Sequence, residues 1–400
     1  NYYSHDPGAV SSVFPNSIPA LADNDNIIWF TSWGKGINYT KLGSVKFKQL
    51  LTKEIAEKNR IDNYVRAMSA DDNGNVYAAL EKGGIVMLDS NGVFIKKLLS
   101  PVYLPYESLL KDRLNNIWMG GERLKKYNTA KKRIDYESEL CTGTDRITCL
   151  HERADGNLLL GTYNRIRLFN KEQQKIKDLP GVHVGSAYSV VYELPDKNML
   201  GCQRDEGVTL YKPLDNGYSM VKIIDPALFV KSILPVSADT LLLATTVGLY
   251  HYCISRQTVA AFDEVNRQLP DLYLYSVLKD KKGYYWCSTN TGLFRWNVEK
   301  KSFKSFSKEF GLQDLEFNTN AWSIDNTGNL YFGGINGINK VDDEIPDDFL
   351  MPPPNLQLLG IESDKKQYIS PKANGMYEEI VLAPGNTAIE IEYNSIDFFN

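Results

Sequence analysis

The side chains best suited to chemistry are scattered along this chain. The four histidines, His5, His151, His183 and His251, share no HxH or HxxxH spacing, so no two imidazoles are set up for one metal ion. There is no GxSxG, and no cysteine lies beside a histidine, so neither a serine nor a thiol nucleophile is signalled. The five cysteines are too few for a disulfide framework, although Cys141 and Cys149 flank one connection and could bridge. Carboxylates are abundant, and a pair facing across a channel would suit a glycosidase, but residue order alone does not place them. Turns such as Asp72-Asn73-Gly74-Asn75 resemble calcium loops superficially and lack the later bidentate Glu, so hairpin turns account for them. The expectation is no catalytic set, no metal and no cofactor.

Binding chemistry is better represented. Trp33, Arg123, Tyr163, Arg165, Arg204, Asp205, Tyr273 and Asn290 combine aromatic faces with donors and acceptors for hydroxyl groups, which is what a carbohydrate site needs. Tyr103, Tyr106, Glu122, Arg146, Asn164, Glu206, Tyr275, Phe317 and Asn336 belong to the same loops. The plainer reading is that an arginine at a turn is a solvated side chain and that a tyrosine, one of 24, packs within a strand.

What would gather these loops is a repeat. In 323–342 a turn at Asp325-Asn326-Thr327-Gly328-Asn329 precedes a strand, a second turn at Asn336-Gly337 and another strand, an antiparallel meander. Eight copies align on Trp29, Tyr77, Trp118, Leu159, Leu200, Leu242, Trp286 and Tyr331, spaced 41 to 48 residues apart. Two positions later every residue is small: Thr31, Ala79, Gly120, Gly161, Cys202, Ala244, Ser288 and Gly333. An aliphatic column follows at Ile37, Ile85, Leu124, Ile166, Val208, Leu249, Leu293 and Ile338. A period in the forties built from short strands predicts an all-β propeller of seven or eight four-stranded blades, the large-then-small pair leaving a gap that the adjoining sheet enters.

In such a ring the connections from second to third strand, and from fourth strand to the next blade, open on one face. Six repeats place Gly before the aliphatic residue, whereas two neighbouring repeats place Arg123 and Arg165 there, which singles these two out. The last repeat has no outer strand of its own, and Asn1 to Pro15, opening on Asn1-Tyr2-Tyr3, is expected to supply it. Residues 51–61 carry the one helical pattern, an insertion within a long gap.

The chain divides into a propeller over 1–347 and, from 348 to 400, a Pro-rich acidic linker followed by the first strands of a second all-β domain. A net charge of −4 offers no basic field for nucleic acid or an anionic membrane, and no apolar run of about 18 residues is present.

The repeats DNTGNLYFGGINGINKV and KKGYYWCSTNTGLFRWN resemble the regulator propeller repeats of the periplasmic sensor region of Bacteroides-type hybrid two-component systems. The tail, with Pro352-Pro353-Pro354-Asn355-Leu356 and then Ile389 to Phe398, is similar to the start of the Ig-like β-sandwich that follows those propellers. The resemblance implies a non-catalytic periplasmic sensor, joined through parts not included here to a transmembrane helix, a histidine kinase and a DNA-binding regulator. It implies an oligosaccharide or other small ligand as the partner, with control of polysaccharide-utilisation genes as the outcome. The competing readings are a propeller lyase or glycoside hydrolase, and a docking scaffold or homodimerisation platform; fold alone does not choose among them.

Overall fold

The computed structural model describes residues 47–341 except 83, 101–103 and 142, together with Ile345 and the backbone of six flanking strands. Seven four-stranded antiparallel sheets form the ring. Blades 1 to 6 each use four consecutive strands, beginning respectively at Val65, Ser108, Ile147, Tyr188, Val230 and Leu274. Blade 7 takes three strands, Phe317–Ile324, Leu330–Gly334 and Gly337–Val341, and completes itself with Lys48–Leu50 from upstream of blade 1. The register is Ile338 opposite Leu50, Asn339 opposite Gln49 and Lys340 opposite Lys48.

That closure corrects the expected one. The edge of Gly337–Val341 is taken by Lys48–Leu50, so the strand assigned to Asn1 to Pro15, which lies outside the described residues, has no place there. The repeat anchored by Trp29 is also not a blade of the ring. Its strands Ser17–Ala22, Ile27–Ser32 and Gly36–Lys41 pair only among themselves. The ring therefore has seven blades, and the segment directly preceding the first one closes the last. Between closing strand and blade 1 stands the expected helix, Lys53–Asn59, capped by Thr52 and ended by Arg60 in the left-handed conformation at φ 52°. Ile55 and Ile61 pack against the core around Leu50, Leu51 and Val65.

Each anchor column residue in the ring is buried. Where the anchor has a polar tip, an aspartate six positions earlier receives it. Tyr77 donates to Asp71, Trp118 to Asp112, Trp286 to Asp280 and Tyr331 to Asp325, at 2.8–2.9 Å. The same carboxylates accept two backbone N–H groups of the intervening turn, as Asp71 does from Asn73 and Asn75. Leu anchors have nothing to donate, and repeats with Leu159, Leu200 and Leu242 carry Arg153, Leu194 and Val236 at the aspartate position. A buried indole N–H or phenol O–H without an acceptor costs about 1–3 kcal/mol, which is why the two residue types travel together.

The small column does what its spacing predicts. A Cβ at Gly161 would meet Cys149 Sγ at 2.3 Å and Tyr188 Cβ at 3.0 Å, and one at Gly333 would meet Val65 Cγ1 at 2.8 Å. Tyr188 and Val65 belong to the first strands of the following blades, so each gap is filled by the next sheet. All five cysteines are free, Cys141 and Cys149 included, so the bridge considered between those two is not formed. After Ile345 a second unit begins, in which Asn355–Ser363 pairs with Lys366–Gln367 and Ile389–Ile396.

Candidate functional site at the channel mouth

The first strand of every blade lines the ring's axis, since these strands neighbour one another around the ring. In five of them the ladder shifts by one residue close to its start, freeing Arg66, Thr148, Ser189, Lys231 and Tyr275 from regular pairing. A bulge leaves one residue outside the ladder and re-aims it. Glu107 occupies the corresponding place in blade 2 and Asn320 in blade 7. All seven lie eleven positions before the anchors Tyr77, Trp118, Leu159, Leu200, Leu242, Trp286 and Tyr331. One column of the repeat therefore supplies one polar side chain per blade to the same end of the channel.

Asn320 makes the floor. In blade 7 the ladder slips between Phe317 and Trp322, and the displaced segment crosses the channel. Asn320, at φ 60°, donates from Nδ2 to the carbonyl oxygens of Glu107 at 2.9 Å and Thr148 at 3.2 Å, in blades 2 and 3. Asn318 ties the same segment to Val65 O at 2.8 Å.

Around this floor the mouth has two unlike halves. Over blades 1 to 3 charges are matched. Arg66 pairs with Glu81, and Arg146 Nη1 lies 2.9 Å from Glu107 Oε1, which also accepts from the Tyr163 hydroxyl at 2.8 Å. The Arg66 pairing holds the Glu81 carboxyl below its usual range, while burial and then Glu107 push the Tyr163 phenol up. Thr148 and Ser189 turn their hydroxyls to backbone carbonyls, including those of Tyr188 and Val230 in the next blades, and so serve the ring.

Over blades 4 to 6 the character changes. Lys231 is only 8% exposed, with Nζ 4.0 Å from the centroid of the Phe229 ring and 5.6 Å from that of Tyr273. Burial, then the like charge of Arg204, lowers its pKa to about 8. Tyr273 and Tyr275 stand ring to ring at 5.1 Å, and the Tyr275 hydroxyl donates to Asn290 Oδ1 at 2.7 Å.

The structure sorts the sequence candidates accordingly. Tyr163, Arg204, Tyr273 and Asn290 reach the mouth, and Asp205 is an exposed neighbour whose backbone N–H bonds to Ser186 Oγ. Trp33 lies outside the described residues. Arg123 and Arg165 are held away from the channel by the outer strands of their own blades. Arg123 bonds to Ser138 O at 2.9 Å and pairs with Glu137 at 3.2 Å, and Arg165 pairs with Asp145 and Asp178, each at 3.4 Å. Arg123 also edges a hollow of about 90 Å³ with Leu104, Tyr106 and Leu140. Their special status reflects a turn that does not use positive φ, whereas Gly84, Gly207, Gly248, Gly292 and Gly337 all do. Sequence reasoning missed Arg66, Glu107, Lys231 and Asn320. The signal lay in the column eleven before the anchor, where the residue type changes from blade to blade.

Among the described residues no group of three His, Cys, Asp or Glu side chains could hold a metal ion, and no helix is long and apolar enough to cross a membrane. The chain matches no family model and no curated protein. Solved structures share its fold. The extracellular domain of BT3049 from B. thetaiotaomicron, named as a hybrid two-component system, superposes with a TM-score of 0.64 at 20% identity, over 88% of this chain and 50% of that one. A structure of the extracellular domain of BT4673 from the same organism, also named as a hybrid two-component system, gives 0.60 at 13% identity, over 93% and 52%. Streptogramin B lyase gives 0.55 at 15% identity, over 70% and 94%. The chain thus spans about half the length of the two extracellular domains it resembles.

Proposed function

We propose that this chain is the ligand-sensing part of a periplasmic receptor of a two-component system, and that an oligosaccharide binds across the mouth described above. The observation that carries the reading is the column of seven side chains, which brings charged, amide and aromatic groups together above a floor closed by Asn320. Stacked tyrosines beside hydrogen-bonding groups suit the apolar face and hydroxyl edge of a sugar ring. The likeness in fold to extracellular domains of hybrid two-component systems supports the sensor class. Binding would favour one arrangement of the receptor over another, and the C-terminal unit, read as the start of an Ig-like domain, would pass that bias to a histidine kinase.

Calorimetric titration of the purified chain with a panel of plant and host oligosaccharides tests this. Stoichiometric binding with the panel unaltered, weakened by Tyr275→Ala while the thermal melt stays cooperative, is the expected result. Cleaved products in the same samples would favour the enzyme reading, for which the shared fold of the lyase is the one supporting observation. Binding untouched by Tyr275→Ala would remove the mouth as the site.

A further inference from the structure

We propose that the corner of the mouth formed by Lys231 and Arg204 binds an acidic substituent, a carboxylate or a sulfate ester, carried by the oligosaccharide; this rests on the sensor reading above and narrows it to acidic sugars. Other cations in the loops of this face have acids beside them. Arg66 has Glu81, Arg146 has Glu107, Arg123 has Glu137, and Arg165 has Asp145 and Asp178. His183 has Glu206. Lys231 is more deeply buried than the partnered Arg66, yet among the described residues no carboxylate pairs with it and no hydrogen bond reaches its ammonium.

An ammonium partly stripped of its water and without a counter-charge is disfavoured, and a chain that needed only to fill this space could use an uncharged residue. In the same column Thr148 and Ser189 do so, bonding to backbone carbonyls. The charged group that acts on Lys231 is Arg204, a second cation, so the corner is doubly positive. Arg204 is exposed, and its bond within the protein is made by its backbone N–H to Ala187 O. No acid acts on Lys231 itself: Asp205 is exposed beside Arg204, Asp271 accepts from Tyr273 N at 2.9 Å, and Glu316 acts on Tyr273 and Tyr275.

Phe229 and Tyr273 flank the ammonium, and the Tyr273–Tyr275 pair continues the wall. A sugar ring resting against that wall would carry its acidic group to Lys231 and Arg204, giving charge-assisted hydrogen bonds in a partly dried site. Tyr273 stays a neutral phenol here, since burial raises its pKa.

The test is calorimetric titration with three probes: oligogalacturonides, sulfated glycosaminoglycan disaccharides and neutral xylo- and arabino-oligosaccharides. An acidic probe should bind and the neutral ones bind more weakly. Lys231→Gln should lower the affinity for the acidic probe roughly tenfold or more, the loss expected for a hydrogen bond to a charged group, with little change in its melting temperature. Titration at pH 8.5 in buffers of different ionisation enthalpy should show proton uptake on binding, because an anion restores the lysine's charge. A glycosaminoglycan disaccharide also carries a uronate carboxylate, so its unsulfated counterpart is titrated beside it: binding lost with the sulfates assigns the sulfate ester, and binding kept assigns the carboxylate. If neutral oligosaccharides bind equally well and Lys231→Gln changes nothing, the acidic-sugar assignment fails while the sensor reading stands. If no oligosaccharide binds, both fail.

Discussion

Asp325 and Tyr331 allow the repeat's central interaction to be measured. Asp325, 4% exposed, accepts from Thr327 N at 2.9 Å, Thr327 Oγ1 at 2.7 Å, Asn329 N at 3.0 Å, Asn329 Nδ2 at 2.9 Å and Tyr331 OH at 2.9 Å. Tyr331→Phe deletes one bond to a charged acceptor and should cost about 1.5–3 kcal/mol. Asp325→Ala removes all five and takes this acceptor from a phenol with 0% exposure, which should cost about 3–5 kcal/mol. In the double variant the hydroxyl and its acceptor are both gone and their shared bond is lost only once, so the two losses should overlap by about 2 kcal/mol. Urea unfolding at pH 7, followed by tryptophan fluorescence and far-ultraviolet circular dichroism, gives the three differences needed. Burial works against the Asp325 anion, but the bonds from Thr327, Asn329 and Tyr331 outweigh it and hold the carboxyl below its usual range. A depressed carboxylate stabilises the fold above its unfolded pKa of about 4 and loses that contribution as pH falls through the folded value, so the overlap should shrink from pH 5 toward pH 2. Losses that simply add, within about 0.3 kcal/mol, would falsify the account of the anchor as a hydrogen-bonded unit.

Three further outcomes follow from the ring. A chain beginning at residue 47 should melt as the longer one does, whereas one beginning at residue 53 should melt several degrees lower, having lost Lys48–Leu50 and the fully buried Leu50 and Leu51; equal melting temperatures for the two would remove Lys48–Leu50 as the closure. Burial lowers the pKa of His151, beside the Tyr192 ring at 4.8 Å, to about 4, so its neutral form belongs to the fold and stability should fall by up to about 3 kcal/mol as pH drops from 6.5 to 4. His151→Phe should flatten that slope in urea titrations at stepped pH, and an unchanged slope would assign it to other groups. Asn320→Ala should lose more stability than Asn320→Gly by roughly 1 kcal/mol, since both lose the cross-channel bonds but only alanine is strained at φ 60°; the reverse order would contradict the backbone conformation assigned to the floor.

Much of the ring is legible in the sequence because its columns answer to packing, which acts identically on each copy. The anchor, the small residue two later and the aliphatic residue beyond it can be aligned without coordinates, and each is buried as its column requires. The closing strand is not legible in this way. Lys48-Gln49-Leu50 is three residues long, with only Leu50 buried, too short for any period to register. The number of blades suffers for the same reason: the Trp29 repeat carries Asp23 six positions before its anchor and looks like any other copy, and only strand pairing sets it apart. Arg123 and Arg165 attracted attention as exceptions to a glycine, but an exception at a turn reports on backbone geometry first. With negative φ there is room for a side chain, and the fourth strand of the same blade supplies the acid to hold it.

The column eleven before the anchor behaves differently because of where a propeller puts it. Its side chains lie near the start of each innermost strand, outside the large-then-small packing columns, and arginine, glutamate, threonine, serine, lysine, tyrosine and asparagine stand there in turn. Packing therefore does not dictate these identities, and what remains to decide them is hydrogen bonding and charge. Four of the seven are accounted for within the ring: Thr148 and Ser189 by neighbouring carbonyls, Asn320 by the span to blades 2 and 3, and Glu107 by Arg146 and Tyr163. Arg66 is balanced by Glu81 and Tyr275 by Asn290. Lys231 alone among these described side chains is left without a polar partner, and the charge that acts on it is that of Arg204, not of an acid. An anion arriving from outside would supply the partner that the ring itself does not.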